Sequence, residues 1–233
     1  MASRCASPRS RPEMRTASLL WPQSFHQLGV LSAADPAARL PDGFFDVAPA
    51  TPTQMLARAF DTLPELRGAS ADALPSVLLV DAQSDARLRE RVDEAWAVLA
   101  PLPGDARPAV LALLISSWLG GHVYADTESA ERQRAAAECT EWRREHNTNV
   151  RPIGEVRRGG ARARSLLFKF LFDEVILRLE GTSKGGESEA YSCELRRARS
   201  GRYECHLKQR ESVHHSSSVQ AAPMAGICVD LHA

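Results

Sequence analysis

The chain has 233 residues, 44% of them apolar and 25% charged, enough to bury a core in one domain with tails or in two small ones. Its 29 basic and 29 acidic residues cancel, so nothing in the overall charge selects for nucleic acid or an anionic membrane surface. Five cysteines, odd in number, scattered and without a CxxC pair, argue against a disulfide framework and for reduced thiols in an intracellular, cytoplasmic setting.

The opening MASRCASPRSRPEMRTAS is rich in Arg and Ser with a single acid, a composition that fits a disordered tail over residues 1–20 and equally an organelle transit peptide. The folded part is expected over 21–233. In LPDGFFDVAP, Pro41, Asp42 and Gly43 supply turn chemistry, after which Phe44 and Phe45 can enter the core. TPTQMLARAFDTLPEL reads as a short helix with Met55, Leu56 and Phe60 on one side and Pro64 ending it. SVLLVD is a compact apolar, β-branched run, expected as a buried strand ending at Asp81. From Ser84 a helix follows, with Leu88, Val92, Trp96 and Leu99 expected on its inner face and Pro101 closing it. The run from Ala109 to Leu119 is too short to span a bilayer and is expected as a buried helix from Pro108, ended by Gly120 and Gly121. ESAERQRAAAECTEWRRE reads as a largely solvated helix with Cys139 and Trp142 turned inward.

RPIGEVRRGGARARSLLFKFLFDEVILRL passes from a basic, glycine-bearing loop into a strongly apolar helix, expected from Ser165 to about Asp173. Beyond it VILRLEG, AYSCELRRA and RYECHLKQ alternate, and GICVDLHA closes the chain. Strands are therefore expected near 175–181, 189–197, 202–209 and 226–231, forming an antiparallel sheet on the central helix. Helices first and strands last define an α+β fold.

The chemistry-bearing groups are sparse. Cys205-His206 with His214-His215, or Cys228 with His232, match no zinc-ligand spacing, so no metal and no cofactor is expected. Arg151, Arg157, Arg158, Arg162 and Arg164 form the sharpest charge cluster. Around the Gly159-Gly160 turn they read either as a solvated loop or as a holder for a phosphate or an acidic partner. No GxxxxGK[ST], GxGxxG or HExxH is present, nor a kinase HRD loop or DFG triplet.

In order, LPDGFFDVAP, SVLLVDAQSDARLRERV, a helix ending WLGG, and RPIGEVRRGGARARSLLFKFLFDEV resemble a peptidase-like domain. That domain is found in the enhanced-disease-resistance and constitutive-triple-response (ethylene signalling) Raf-like kinases and in armadillo-repeat-containing protein 3. The closest string is PIG followed by G, R, R and SLLFKFLFD, similar to the family's PIG…GxCRHRALLFKxLAD, and the resemblance covers about Phe25 to Gly181 and extends more weakly to Leu231. It implies a papain- or transglutaminase-like core, in which a cysteine at a helix start meets a histidine and an acid on the following strands. A helix N-terminus lowers a thiol pKa and an imidazole accepts its proton, so the plan is physically sound.

Pro152, Ile153, Gly154, Gly159, Arg162, Arg164, Leu166, Leu167, Phe168, Lys169 and Asp173 match the family pattern. The family cysteine falls on Ala161 and the histidine two residues later on Ala163. Glu189 stands where transglutaminase-like relatives carry a histidine, and Asp230 matches an acidic position. The site so implied is degenerate, with Arg158, Gly159, Gly160, Arg162 and Arg164 left as candidate binding residues. The resemblance therefore implies a non-catalytic interaction or regulatory domain with protein partners, signalling kinases among them, cut short at its C-terminal end. The rival expectation is an active cysteine hydrolase or acyl transferase using a displaced thiol, Cys193 or Cys139.

Overall fold

The computed structural model describes residues 39–40, 44–47, 76–121, 128–182, 191–197, 203–209 and 227–229. The helix expected around Met55 and Phe60 lies outside them, as do the 41–43 turn and residues 1–38. Strand β1 (Phe44–Val47) pairs antiparallel with β2 (Val77–Val80), and β2 pairs in parallel with β3 (Val150–Pro152). All four β2 residues are buried, as expected of a short β-branched run with cover on both faces. Phe44, expected to enter the core, opens β1 and is buried.

Helix α1 (Ala86–Leu99) is capped by Asp85, whose carboxylate accepts the Leu88 N–H at 2.9 Å. Its inner face is Leu88, Ala95 and Leu99, with Val92 partly buried. Trp96, expected inside, is 39% exposed, because the buried residues follow the i, i+7, i+11 line rather than i, i+8. Helix α2 (Arg107–Trp118) buries Leu111 and Ile115, but the expectation of full burial does not hold: Leu113 is 54% exposed. Its apolar sequence carries no polar face from which that side can be read. Gly120, at φ 100°, and Gly121, at φ 88°, end α2 with a Gly121 N–H to Ser116 C=O bond of 2.8 Å, a Schellman closure that needs left-handed backbone. Helix α3 (Glu128–His146) has no buried residue.

A 3₁₀ turn (Ile153–Glu155) brings Gly154 against the start of α1, and Gly154 N–H donates to the same Asp85 carboxylate at 2.7 Å. A Cβ on Gly154 would overlap both Asp85 carboxylate oxygens and lie 2.5 Å from Leu88 N. Gly154→Ala is therefore expected to cost about 2 kcal/mol, since either the cap or the turn must shift. Urea unfolding checks it: an unchanged midpoint would mean that the contact yields freely.

Helix α4 (Ala161–Leu171) is the centre of the molecule, packed against α2, β2, β4 (Tyr191–Arg197) and β5 (Tyr203–Gln209). Leu166, Leu167, Phe168, Phe170 and Leu171 are all buried. The β4-β5-β6 sheet, with β6 at Ile227–Val229, is antiparallel. These elements make the fold α+β, with the expected core helix on an antiparallel sheet. One strand expectation fails: residues 175–181 are helical, as a π-helical turn (Phe172–Ile176) and α5 (Leu177–Thr182). Alternation in VILRLEG is too short to distinguish a strand from a helix buried on most sides. The π turn adds a residue that keeps Phe172, Val175, Ile176 and Leu179 inside. Among the described residues no helix is long and apolar enough to cross a membrane.

Candidate functional site

Helix α4 starts at Ala161, four residues earlier than the apolar run alone suggests, with Gly160 as N-cap and no side-chain bond to the cap. Ala161 is thus the first helical residue, half-exposed, and its turn carries backbone N–H groups that no side chain caps. Among the described residues, a Cβ on Gly160 would meet nothing within 4 Å. Ala163 is different: at 6% exposure it belongs to the core. A Cβ on Gly159 would stand 2.9 Å from Leu119 Cδ1 and 3.1 Å from Ala163 Cβ. Gly159 is therefore accounted for by close packing on the end of α2, to whose Leu119 C=O its N–H donates at 3.2 Å, without any phosphate.

The arginine cluster divides into inward and outward members. Arg164, 1% exposed, donates from Nε to Gly159 C=O (2.7 Å), from Nη1 to Ser116 Oγ (3.0 Å) and from Nη2 to the carbonyls of Leu119 (3.0 Å) and Gly121 (2.8 Å). Its positive fork sits on the carbonyl end of α2, where the helix dipole favours a cation. Burial lowers its pKa from the ordinary value, and Glu131 draws it back. Arg162 pairs with the Asp46 carboxylate and also donates to the Asp46 carbonyl (2.6 Å) and to Ser76, tying β1 to the start of β2. Arg151 pairs with Glu138 of α3 and donates to Glu155 C=O at 2.7 Å. Only Arg157 and Arg158 of the five are exposed, and Arg158 lies 3.4 Å from Glu131. Arg162 and Arg164, two of the candidate binding residues, face inward and serve as internal fastenings. Nothing in their sequence spacing distinguishes these roles; the signal is that both sit where the family pattern fixes arginine.

Cys193 and Cys205 are buried on the sheet face that meets α4, and the Cys205 thiol donates to Ser165 C=O at 3.3 Å. Burial pushes the Cys205 thiol well up, and its neighbour Cys193 adds to that, the opposite of an activated nucleophile. Close by on α4, Lys169 Nζ donates to Asp173 Oδ1 at 2.7 Å, and Asp173 Oδ2 accepts the Leu40 N–H at 2.8 Å. His206 points to the other side of β5 from Cys205 and lies 3.3 Å from Glu204. Among the described residues no group of three or more His, Cys, Asp or Glu is placed to hold a metal. Glu189, Asp230, His214, His215 and His232 lie outside the described residues. The polar residue that the sequence reading missed is Asp85, which joins α1 to the PIG turn; its position directly before a helical run is the capping signal that identifies it.

The described residues form an α+β arrangement in which a glycine-capped helix start on a central helix is backed by an antiparallel sheet. A family model described as EDR1/CTR1/ARMC3, peptidase-like, matches residues 18–209, and the chain belongs to that family. The match covers every described element except β6. No curated protein and no solved structure matches the chain.

Proposed function

We propose that this chain is a non-catalytic member of its family, a papain- or transglutaminase-like core whose degenerate site leaves an interaction or regulatory domain. The observation that carries this reading is the first residue of α4: Ala161, a methyl group where the resemblance places the nucleophile. Ala163, in the histidine position, is likewise inert and packed inside. An open helix N-terminus stabilises a thiolate, but with no thiol there acyl transfer has no first step. The buried Cys193 and Cys205 offer no accessible replacement, and Cys139 sits half-buried on the charged helix α3. The partners on this reading are cytoplasmic proteins, with Raf-like signalling kinases as the first class to examine. Incubated with generic peptide and acyl-donor substrates, the purified protein is expected to give no turnover. Turnover that thiol alkylation abolishes would overturn the reading.

The site itself can be probed by restoring the thiol. In a background with all five native cysteines replaced, Ala161→Cys is expected to titrate about one unit below the free value of about 8.5, because the uncapped N–H groups of α4 favour the thiolate. Arg162 adds little, since Asp46 neutralises it. The pH dependence of iodoacetamide alkylation measures the midpoint. A midpoint at or above that of a free thiol would remove Ala161 from the nucleophile position.

A further inference from the structure

Helix α3 differs from the other helices in how it is attached. None of its residues is buried, and no other described element packs along its length. Its less exposed residues include Glu131, Ala135, Glu138 and Trp142, one stripe at helical spacing in which two of the four are carboxylates. Glu138 pairs with Arg151 and accepts the Arg157 N–H at 3.0 Å, and Glu131 Oε2 lies 3.4 Å from Arg158 Nη1. The Arg151 guanidinium stands over the Trp142 ring at 5.3 Å. Yet Trp142 Nε1 and Arg151 Nε are buried without a hydrogen-bond acceptor among the described residues. The contact is thus made by charge and is incompletely satisfied.

The helix is also equipped to stay formed on its own. Ala, Glu, Arg and Gln dominate it, Glu128 and Glu131 occupy its first turn, and Arg143, Arg144 and His146 its last. Arg132 pairs with Glu128 one turn away at 2.7 Å, and Trp142 stacks on His146 at 3.5 Å.

We propose that α3 is a strap latched by charge. It lifts off as an intact helix while the core around α4 stays folded, uncovering Arg151 and releasing the already exposed Arg157 and Arg158 from its carboxylates, ahead of the Gly159-Gly160 turn. The uncovered surface takes an acidic segment of a partner protein, because carboxylates already occupy it in the closed form. Salt separates the two attachments: the screening length falls from about 10 Å at 0.1 M to about 3 Å at 1 M, which loosens ion pairs and leaves apolar packing in place.

Cys139 reports on the strap, since it stands on the half-buried side near Trp142, while Cys193 and Cys205 report on the core. In the full chain with Cys5 and Cys228 replaced by serine, Cys139 alkylation is followed by peptide mass. Its rate is expected to rise about fivefold between roughly 0.1 and 1 M sodium chloride, with Cys193 and Cys205 still protected. Glu131→Gln with Glu138→Gln should reach the high-salt rate at low salt. Arg158→Gln should move the rate the same way by less, and serves if the double variant unfolds. At constant ionic strength a poly-glutamate peptide should raise the rate and a poly-glutamine peptide should not. A Cys139 rate indifferent to salt, or one that rises only together with Cys193 and Cys205, overturns the strap. Equal effects of the two peptides, or none, overturn the partner class.

Discussion

Arg164→Met is expected to destabilise the protein by about 4 kcal/mol, a loss large enough to unfold a marginal domain. The substitution keeps the apolar stem and removes the fork, so what disappears is the set of bonds to Gly159, Ser116, Leu119 and Gly121. Each buried acceptor left bare costs about 1–3 kcal/mol, and the costs overlap because the sites are neighbours. Leu119 C=O keeps its bond from Gly159, which limits the total. Arg164→Lys should recover little: an ammonium cannot reach acceptors that a planar fork spans. Denaturant unfolding of the two variants tests this. A loss below about 1 kcal/mol for Arg164→Met would show that the carbonyls at the end of α2 find other donors.

The second large effect concerns Lys169 and Asp173, which are 4% and 2% exposed. Removing one partner of a buried pair costs about 3–5 kcal/mol, because the other charge remains without compensation. Burial is the main influence on Asp173 and raises its carboxyl pKa above 3.8, while Lys169 and the Leu40 N–H hold it down. Lys169→Met takes away the strongest opposing influence, so the folded-state value rises further. A carboxyl raised in the folded state gives its full share of stability below its unfolded value and loses it as pH climbs through the folded value. The variant should therefore approach the parent's stability near pH 4 and fall increasingly behind it toward neutrality. Lys169→Met with Asp173→Asn keeps an oxygen for the Leu40 N–H, carries no buried charge and should recover most of the loss at pH 7. Parallel pH profiles for Lys169→Met and the parent would sink this account.

Much of the fold is legible wherever one principle dominates. The β-branched SVLLVD run, the glycines after Leu119 and the apolar stretch from Leu166 onward behave as their chemistry requires. Legibility fails where an element is short. In VILRLEG the alternation covers too few residues to fix the period, and the π turn that shifts the register has no sequence mark of its own. It fails again for Trp96 and Leu113, where size and apolarity suggest burial but the helix faces are set by neighbours distant in sequence. At the site, the identity of Ala161 and Ala163 can be read directly. The inward direction of Arg162 and Arg164 cannot, because a basic run has the same composition whether it faces solvent or clasps carbonyls.

The order of strands β1-β2-β3 bears on how the chain assembles. Strand β2 lies between a partner that precedes it and one that arrives only after α1, α2 and α3 have been threaded. The Arg162–Asp46 pair that fastens this sheet to α4 spans 116 residues. Closing such loops costs chain entropy before any contact rewards it, whereas β4 and β5, which follow α5, meet across a short connection. The second sheet can thus condense on the central helix while the first is still open. On the ribosome β2 waits, apolar and unpaired on one edge, until the PIG segment emerges, which makes that interval the period when nascent chains are most exposed to one another.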